Sequence, residues 1–207
     1  MTRIKICGIT NLKDALLASD SGADAIGFIF AESPRKIKPE LARKIISSLP
    51  PFLVKVGVFV DEKIDMVRTV YSYCGLSFVQ LHGDEDQNYI NALSLPVIKA
   101  FKVKDRQILN HISEYRGNYF LLDAFDENHA GGTGKNFDWS ISRKAKKFGK
   151  VILSGGLNQK NVKLALEKVR PYAVDVCSGV EASPGKKDPK KIRRFINEVR
   201  EWDYLTN

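Results

Sequence analysis

The chain reads as one α/β domain over residues 1–207, its eight parallel strands closed into a (β/α)8 barrel. Three observations point there. Strand-like and amphipathic helical segments alternate eight times from end to end. At 207 residues the units average roughly 26 each, compact but sufficient for such a barrel. No G-x-G-x-x-G turn follows the first strand-like run, which sets aside a doubly wound dinucleotide-binding sheet.

The first strand, Arg3–Cys7, puts Arg3, Lys5 and Cys7 on one face and Ile4 and Ile6 on the other. Asn11 then suits the cap of a helix over Asn11–Ser21, with Asp14 in its first turn and Gly22 where it stops. The second unit pairs a strand at Asp24–Phe30 with a helix at Pro39–Ser48, where proline fits the first helical position. The third pairs Leu53–Phe59 with Glu62–Tyr73, and the fourth Phe78–Leu81 with Asp84–Leu93. Val97–Phe101 and Asp105–Glu114 make the fifth. Their strands are short apolar runs, as expected of parallel strands covered on both faces. Their helices carry apolar residues three and four apart. The sixth unit pairs Tyr119–Asp123 with Asp138–Lys147, which Gly149 ends. Val151–Leu153 with Asn158–Lys168, then Val174–Val176 with Pro189–Trp202, complete the alternation. Parallel strands in this order require right-handed crossovers.

Composition narrows the function. Hydrophobic residues at 43% and charged residues at 28% describe a folded globular chain rather than a disordered one. No apolar run reaches the roughly 18 residues of a membrane span, and the N-terminus lacks a signal peptide's apolar core. Cys7, Cys74 and Cys177 form no CxxC pair and, with three histidines, no zinc spacing. Thiols so used suit a reducing, cytoplasmic compartment. The net charge of +9 favours anionic ligands. The basic clusters Lys144-Ala145-Lys146-Lys147, Lys186-Lys187, Lys190-Lys191 and Arg193-Arg194 read as solvated helix faces. Without a helix-turn-helix or a basic face interleaved with aromatics, nucleic acid is not an expected partner.

In such a barrel the chemistry belongs where strands end. Reading only those positions gives Cys7, the loop 31–36 with Arg35, His82, Asp123, the loop 154–158 and the loop 175–181. The loops after the seventh and eighth strands are the expected phosphate cradle. Gly155, Gly156 and Gly179 let the backbone approach an anion, and Ser178 adds a hydroxyl. Gly131-Gly132-Thr133-Gly134-Lys135-Asn136 lacks Walker spacing and reads as a loop closing over the site. Lys5, two residues below Cys7 on the same face, favours the thiolate. Asp123 points inward by the same alternation, so a thiolate and a carboxylic acid form an acid–base pair without metal or cofactor. Arg35 offers a planar fork to a carboxylate. His82, on one face with Gln80, either lines the pocket or packs structurally; Cys74 and Cys177 read as structural.

Longer stretches then carry a resemblance. Lys5-Ile6-Cys7-Gly8-Ile9-Thr10, Gly27-Phe28-Ile29-Phe30, Ser33-Pro34-Arg35 and Val56-Gly57-Val58-Phe59 are similar to the phosphoribosylanthranilate isomerase family. So are Val79-Gln80-Leu81-His82-Gly83, Gly132-Thr133-Gly134-Lys135, Leu153-Ser154-Gly155-Gly156-Leu157 and Ser178-Gly179-Val180-Glu181. The likeness runs in order from about residue 3 to residue 198. It implies a TIM-barrel enzyme of tryptophan biosynthesis, free of metal and cofactor. The implied reaction is an Amadori rearrangement of N-(5-phosphoribosyl)anthranilate to 1-(2-carboxyphenylamino)-1-deoxyribulose 5-phosphate. The small-molecule substrate then carries a phosphate and an anthranilate carboxylate. By the same resemblance Asp123 is the general acid and Cys7 the general base, while Arg35 holds the carboxylate. His82 and Asp175 line the substrate pocket. One departure stands out: Cys177 occupies a position where the family commonly has Ser or Asn. The related histidine-pathway aminoaldose isomerase uses an aspartate where Cys7 stands, so the first strand separates the two. No motif sets an oligomeric state.

Overall fold

The computed structural model describes residues 1–123 and 139–206. Eight strands form a closed barrel in sequence order, every neighbouring pair parallel. They are β1 (Arg3–Ile6), β2 (Ala25–Ile29), β3 (Val54–Phe59), β4 (Phe78–Leu81), β5 (Val97–Lys102), β6 (Tyr119–Asp123), β7 (Lys150–Ser154) and β8 (Ala173–Val176). Between them run α1 (Leu12–Asp20), α2 (Pro39–Ile46), α3 (Ile64–Cys74), α4 (Gln87–Leu93), α5 (Ile108–Glu114), α6 (Trp139–Ala145) and α7 (Val162–Val169). A small hairpin, β9 (Glu181–Ser183) and β10 (Lys186–Lys187), precedes the last helix, α8 (Pro189–Thr206).

Local chemistry sets the helix starts. Asn11 caps α1 by accepting a hydrogen bond from the Asp14 N–H at 2.9 Å, and Pro39 opens α2. α4 begins three residues later than its apolar pattern predicts. Asp86 is the cap, accepting from Tyr89 N–H at 2.7 Å, and Glu85 is buried elsewhere. At the far end of the chain Asp203 accepts from Thr2 N–H at 2.8 Å, and Arg200 donates to the Thr2 carbonyl at 2.8 Å. These bonds pin α8 to the start of β1 and close the ring of helices.

The strand alternation sorts side chains into two cores. Ile4, Ile6, Ile26, Phe28, Val79, Leu81, Leu153 and Val174 face outward into the layer shared with the helices. Val56, Ile98, Ala100, Leu121, Ile152 and Ala173 fill the barrel interior. At the N-terminal end of the strands the interior opens into an apolar cavity of about 450 Å³, lined by Val54, Ile98 and Ile152 among others. Acid–base groups instead gather at the C-terminal end. Among the described residues, no helix is long and apolar enough to cross a membrane. Gly131–Asn136 and His129 lie outside the described residues.

Candidate active site

β1 and β8 are neighbours in register, with Lys5 opposite Asp175 and Ile6 opposite Val176. Cys7 continues β1 by donating its N–H to the Val176 carbonyl at 2.8 Å. The chain then turns away at Gly8, whose φ of +73° suits glycine. A side chain there would also begin 2.8 Å from Cys177 Sγ and 2.9 Å from Arg35 Cδ. On the other flank, a Cβ at Gly27 of β2 would fall 2.6 Å from Cys7 Sγ. Gly8 therefore leaves room for Cys177 and Arg35, and Gly27 for the Cys7 thiol.

Beneath that thiol, Lys5 Nζ donates to Asp175 Oδ1 at 2.7 Å, both side chains almost fully buried. Ser154, at the end of β7, donates to the other carboxylate oxygen at 3.0 Å. Burial alone would lower the Lys5 pKa, but Asp175 and the Cys7 sulfur outweigh it and raise it, so Lys5 stays an ammonium. The neighbouring Cys177 thiol draws the Cys7 pKa down. Burial and Asp175 oppose this, and Lys5 adds to it; the balance holds Cys7 at about 6. Cys177 moves the other way, upward, because of Cys7 beside it and its own burial. Reading Cys177 as merely structural was therefore incomplete: it lies against the candidate base.

Arg35 is placed by the turn after β2, its N–H on the Ser33 hydroxyl at 3.1 Å. Its Nε and Nη2 clamp Glu181 at 2.9 and 2.7 Å, and Lys187 Nζ reaches the same carboxylate at 3.0 Å. Burial pushes the Glu181 carboxyl up, yet these two cations bring its pKa below the ordinary value. Lys187 corrects a second expectation. It is buried in this pair rather than lying on a solvated helix face. These bonds to Glu181 use Nε and Nη2 and not Nη1.

Asp123 ends β6, three strands around the ring from β1. His82 Nε2 lies 3.3 Å from Asp123 Oδ2, and Gln80 Nε2 lies 3.2 Å from His82 Nδ1. The structure thus puts His82 on the candidate acid. Behind it is a buried network that the sequence pattern does not reveal. Lys99 Nζ donates to Glu85 at 2.8 Å and to the Gly83 carbonyl at 2.6 Å, while Glu85 accepts from Gly83 N–H at 3.0 Å. It fixes the loop that carries His82.

The loops after β7 and β8 interlock. Gly155 and Gly156 adopt φ of +89° and +65°, and Gly156 faces open space. Any side chain at Gly179 would collide with the Leu157 carbonyl, so only glycine lets the two loops meet. Ser178 and Gly179 lie in a single 3-10 turn, Ser178–Val180. Asn161 holds the first loop by donating to the Gly156 carbonyl at 3.0 Å and accepting from Asn158 N–H at 2.8 Å. The four predicted phosphate residues are thus brought together beside Ser154 and Asp175.

Comparison with known proteins decides the family. The pattern described as N-(5'phosphoribosyl)anthranilate (PRA) isomerase matches residues 4–198. The chain belongs to the N-(5'-phosphoribosyl)anthranilate isomerase family. It is an isomerase of tryptophan biosynthesis. The N-(5'-phosphoribosyl)anthranilate isomerase of Geobacter sulfurreducens is 50% identical over 203 residues, 98% of this chain and 100% of that one. The phosphoribosyl anthranilate isomerase of Thermotoga maritima has a crystal structure that superposes with a TM-score of 0.91. It is 46% identical, covering 97% of this chain and all of its own. Another solved phosphoribosyl anthranilate isomerase, at 45% identity and TM-score 0.88 with the same coverage, holds reduced 1-(o-carboxyphenylamino)-1-deoxyribulose 5-phosphate. The family's barrel is the one described above.

Proposed function

We propose that this chain converts N-(5'-phosphoribosyl)anthranilate into 1-(2-carboxyphenylamino)-1-deoxyribulose 5-phosphate, with Cys7 as general base and Asp123 as general acid. The observation that carries the reading is the placement of Cys7. A buried thiol is ordinarily inert, but this one ends a barrel strand whose Lys5, two residues earlier, is paired with Asp175, and its pKa is drawn down to about 6. A solved relative that holds a reduced form of the product supports the substrate.

The proposed steps use the two residues in turn. Asp123 gives its proton to the furanose ring oxygen, the C1–O bond breaks, and the nitrogen's lone pair forms a protonated imine. That positive nitrogen acidifies the C2 proton, which the Cys7 thiolate takes. The C2–H electrons form the enolamine double bond, and the imine π electrons return to nitrogen. The enolamine tautomerises to the ketone. His82, 3.3 Å from Asp123, orients the acid rather than acting alone on substrate. Arg35, its fork braced by Glu181, receives the anthranilate carboxylate. Gly155, Gly156, Ser178 and Gly179 receive the phosphate with backbone N–H groups and one hydroxyl. Asp175 acts from below, binding Lys5 and Ser154.

Loss of phosphoribosylanthranilate fluorescence measures the activity directly. Purified native protein turns the substrate over, and Cys7→Ala and Asp123→Asn lose most of kcat. Near-native turnover in either variant removes that residue's role.

A further inference from the structure

We propose that Gln80 is a positioning residue for the acid: its buried amide donates to Nδ1 of His82 and so fixes that ring's proton on Nε2, where it meets Asp123. Alternation along β4 stacks the two side chains on the inward face, the amide below and the imidazole just beyond the strand's end. Gln80 lies in register between Val58 of β3 and Ile98 of β5 and is 2% exposed. The His82 N–H continues the ladder, donating to the Phe59 carbonyl at 2.9 Å. The ring is then held at both edges, with Gln80 Nε2 3.2 Å from Nδ1 and Asp123 Oδ2 3.3 Å from Nε2.

The direction of each bond follows from the acid. A carboxylate offers only acceptors, so once Asp123 has given up its proton the ring nitrogen beside it must carry an N–H to meet it. A neutral imidazole has one such proton, which leaves Nδ1 with a lone pair and calls for a donor there. The Gln80 amide nitrogen supplies that donor. The other tautomer would set a bare Nε2 against Asp123, where it competes with the substrate's ring oxygen for the acid's proton. The fold bears a cost for this arrangement: Gln80 Oε1 is buried and has no hydrogen-bond partner among the described residues. An apolar side chain of similar length would leave nothing unpaired, so packing does not explain the amide.

This inference rests on Asp123 as the general acid, and its test reads the tautomer without turnover. Heteronuclear NMR of protein with isotopically labelled histidine separates the tautomers, because the protonated and bare nitrogens of a neutral ring resonate far apart. The His82 signals are those absent from His82→Gln protein. At about pH 8, where an imidazole is ordinarily neutral, native His82 is expected as the Nε2–H form. Gln80→Met and Gln80→Leu should give a mixture of the two tautomers. Their kcat should fall about tenfold, with KM changed less than about twofold and the urea midpoint unchanged. A native ring protonated on Nδ1 overturns the proposal, and that measurement needs no variant to fold. So does a variant that loses stability but keeps the native tautomer and kcat, the behaviour of a purely structural amide. If the tautomer shifts as expected while Asp123→Asn retains native turnover, the role of Gln80 on His82 stands and Asp123 as acid falls instead.

Discussion

Lys5 and Asp175 form a 2.7 Å ion pair inside the barrel, directly across the seam where the first strand meets the last. The pair joins fold to chemistry: it closes the β1–β8 seam and places an ammonium under the Cys7 thiol. Taking two ions out of water is costly, and replacing both with apolar groups is often neutral. Retaining them makes sense where one ion serves a neighbour.

Removing only the cation should therefore have two effects. Lys5→Met strands Asp175 in the interior, with a cost of about 3–5 kcal/mol in unfolding free energy. It should also raise the Cys7 midpoint. Urea denaturation and a thiolate titration check the two independently. A variant as stable as native, with Cys7 unmoved, contradicts both.

The acid limb of activity should follow Cys7. A general base works only when deprotonated, so kcat/KM should fall as pH drops through about 6. Stability shares the sign. The native thiol ionises at about 6 and an unfolded one near roughly 8.5, so between those values the unfolded chain binds more protons. The Cys7 contribution to stability is thus present in full above the upper value and lost as pH falls towards the lower. Rate profiles and denaturation midpoints between pH 5 and about 9 test this; a Cys7→Ser protein with the same pH-dependence of stability as native would argue against it.

Much of this was legible in the amino-acid order, for a physical reason. Parallel strands buried on both faces leave short apolar runs, and all eight were visible, as were Cys7 and Asp123 at their ends. What the order hid were partnerships across long separations. Nothing local to Cys177 says that β8 will lie beside β1, so a side chain read as structural proved to stand level with Cys7, one residue beyond the paired Ile6 and Val176. Lys187, in a run that looks like a solvated helix face, folds back as a hairpin strand to pair with Glu181. The helix expected from Asp84 starts at Gln87 because Glu85 is drawn inward by Lys99.

Space around the thiol is as constrained as its charge. Gly27→Ala would place a Cβ 2.6 Å from Cys7 Sγ and 3.2 Å from Lys5 Cε. The methyl should displace the sulfur and lower kcat at least tenfold, with little effect on inhibition by inorganic phosphate. Steady-state kinetics on the purified variant decide it, and a native kcat would show that the thiol's placement has slack.

Arg35 should act on binding. Arg35→Ala is expected to raise KM at least tenfold, a loss of about 1.4 kcal/mol or more, with a smaller fall in kcat. Arg35→Lys should not restore binding, since an ammonium cannot bridge Glu181 and a ligand with a planar fork. Unchanged KM in the alanine variant would take the carboxylate away from Arg35.

Removal of the C2 proton is assigned to a single thiolate, that of Cys7. Single-turnover loss of phosphoribosylanthranilate fluorescence in Cys7→Ala at pH 8, beside native protein and Asp123→Asn, tests it most directly. Tight substrate binding is expected, with a rate constant reduced at least a hundredfold. A Cys7→Ala protein that turns substrate over within a few-fold of native would contradict it.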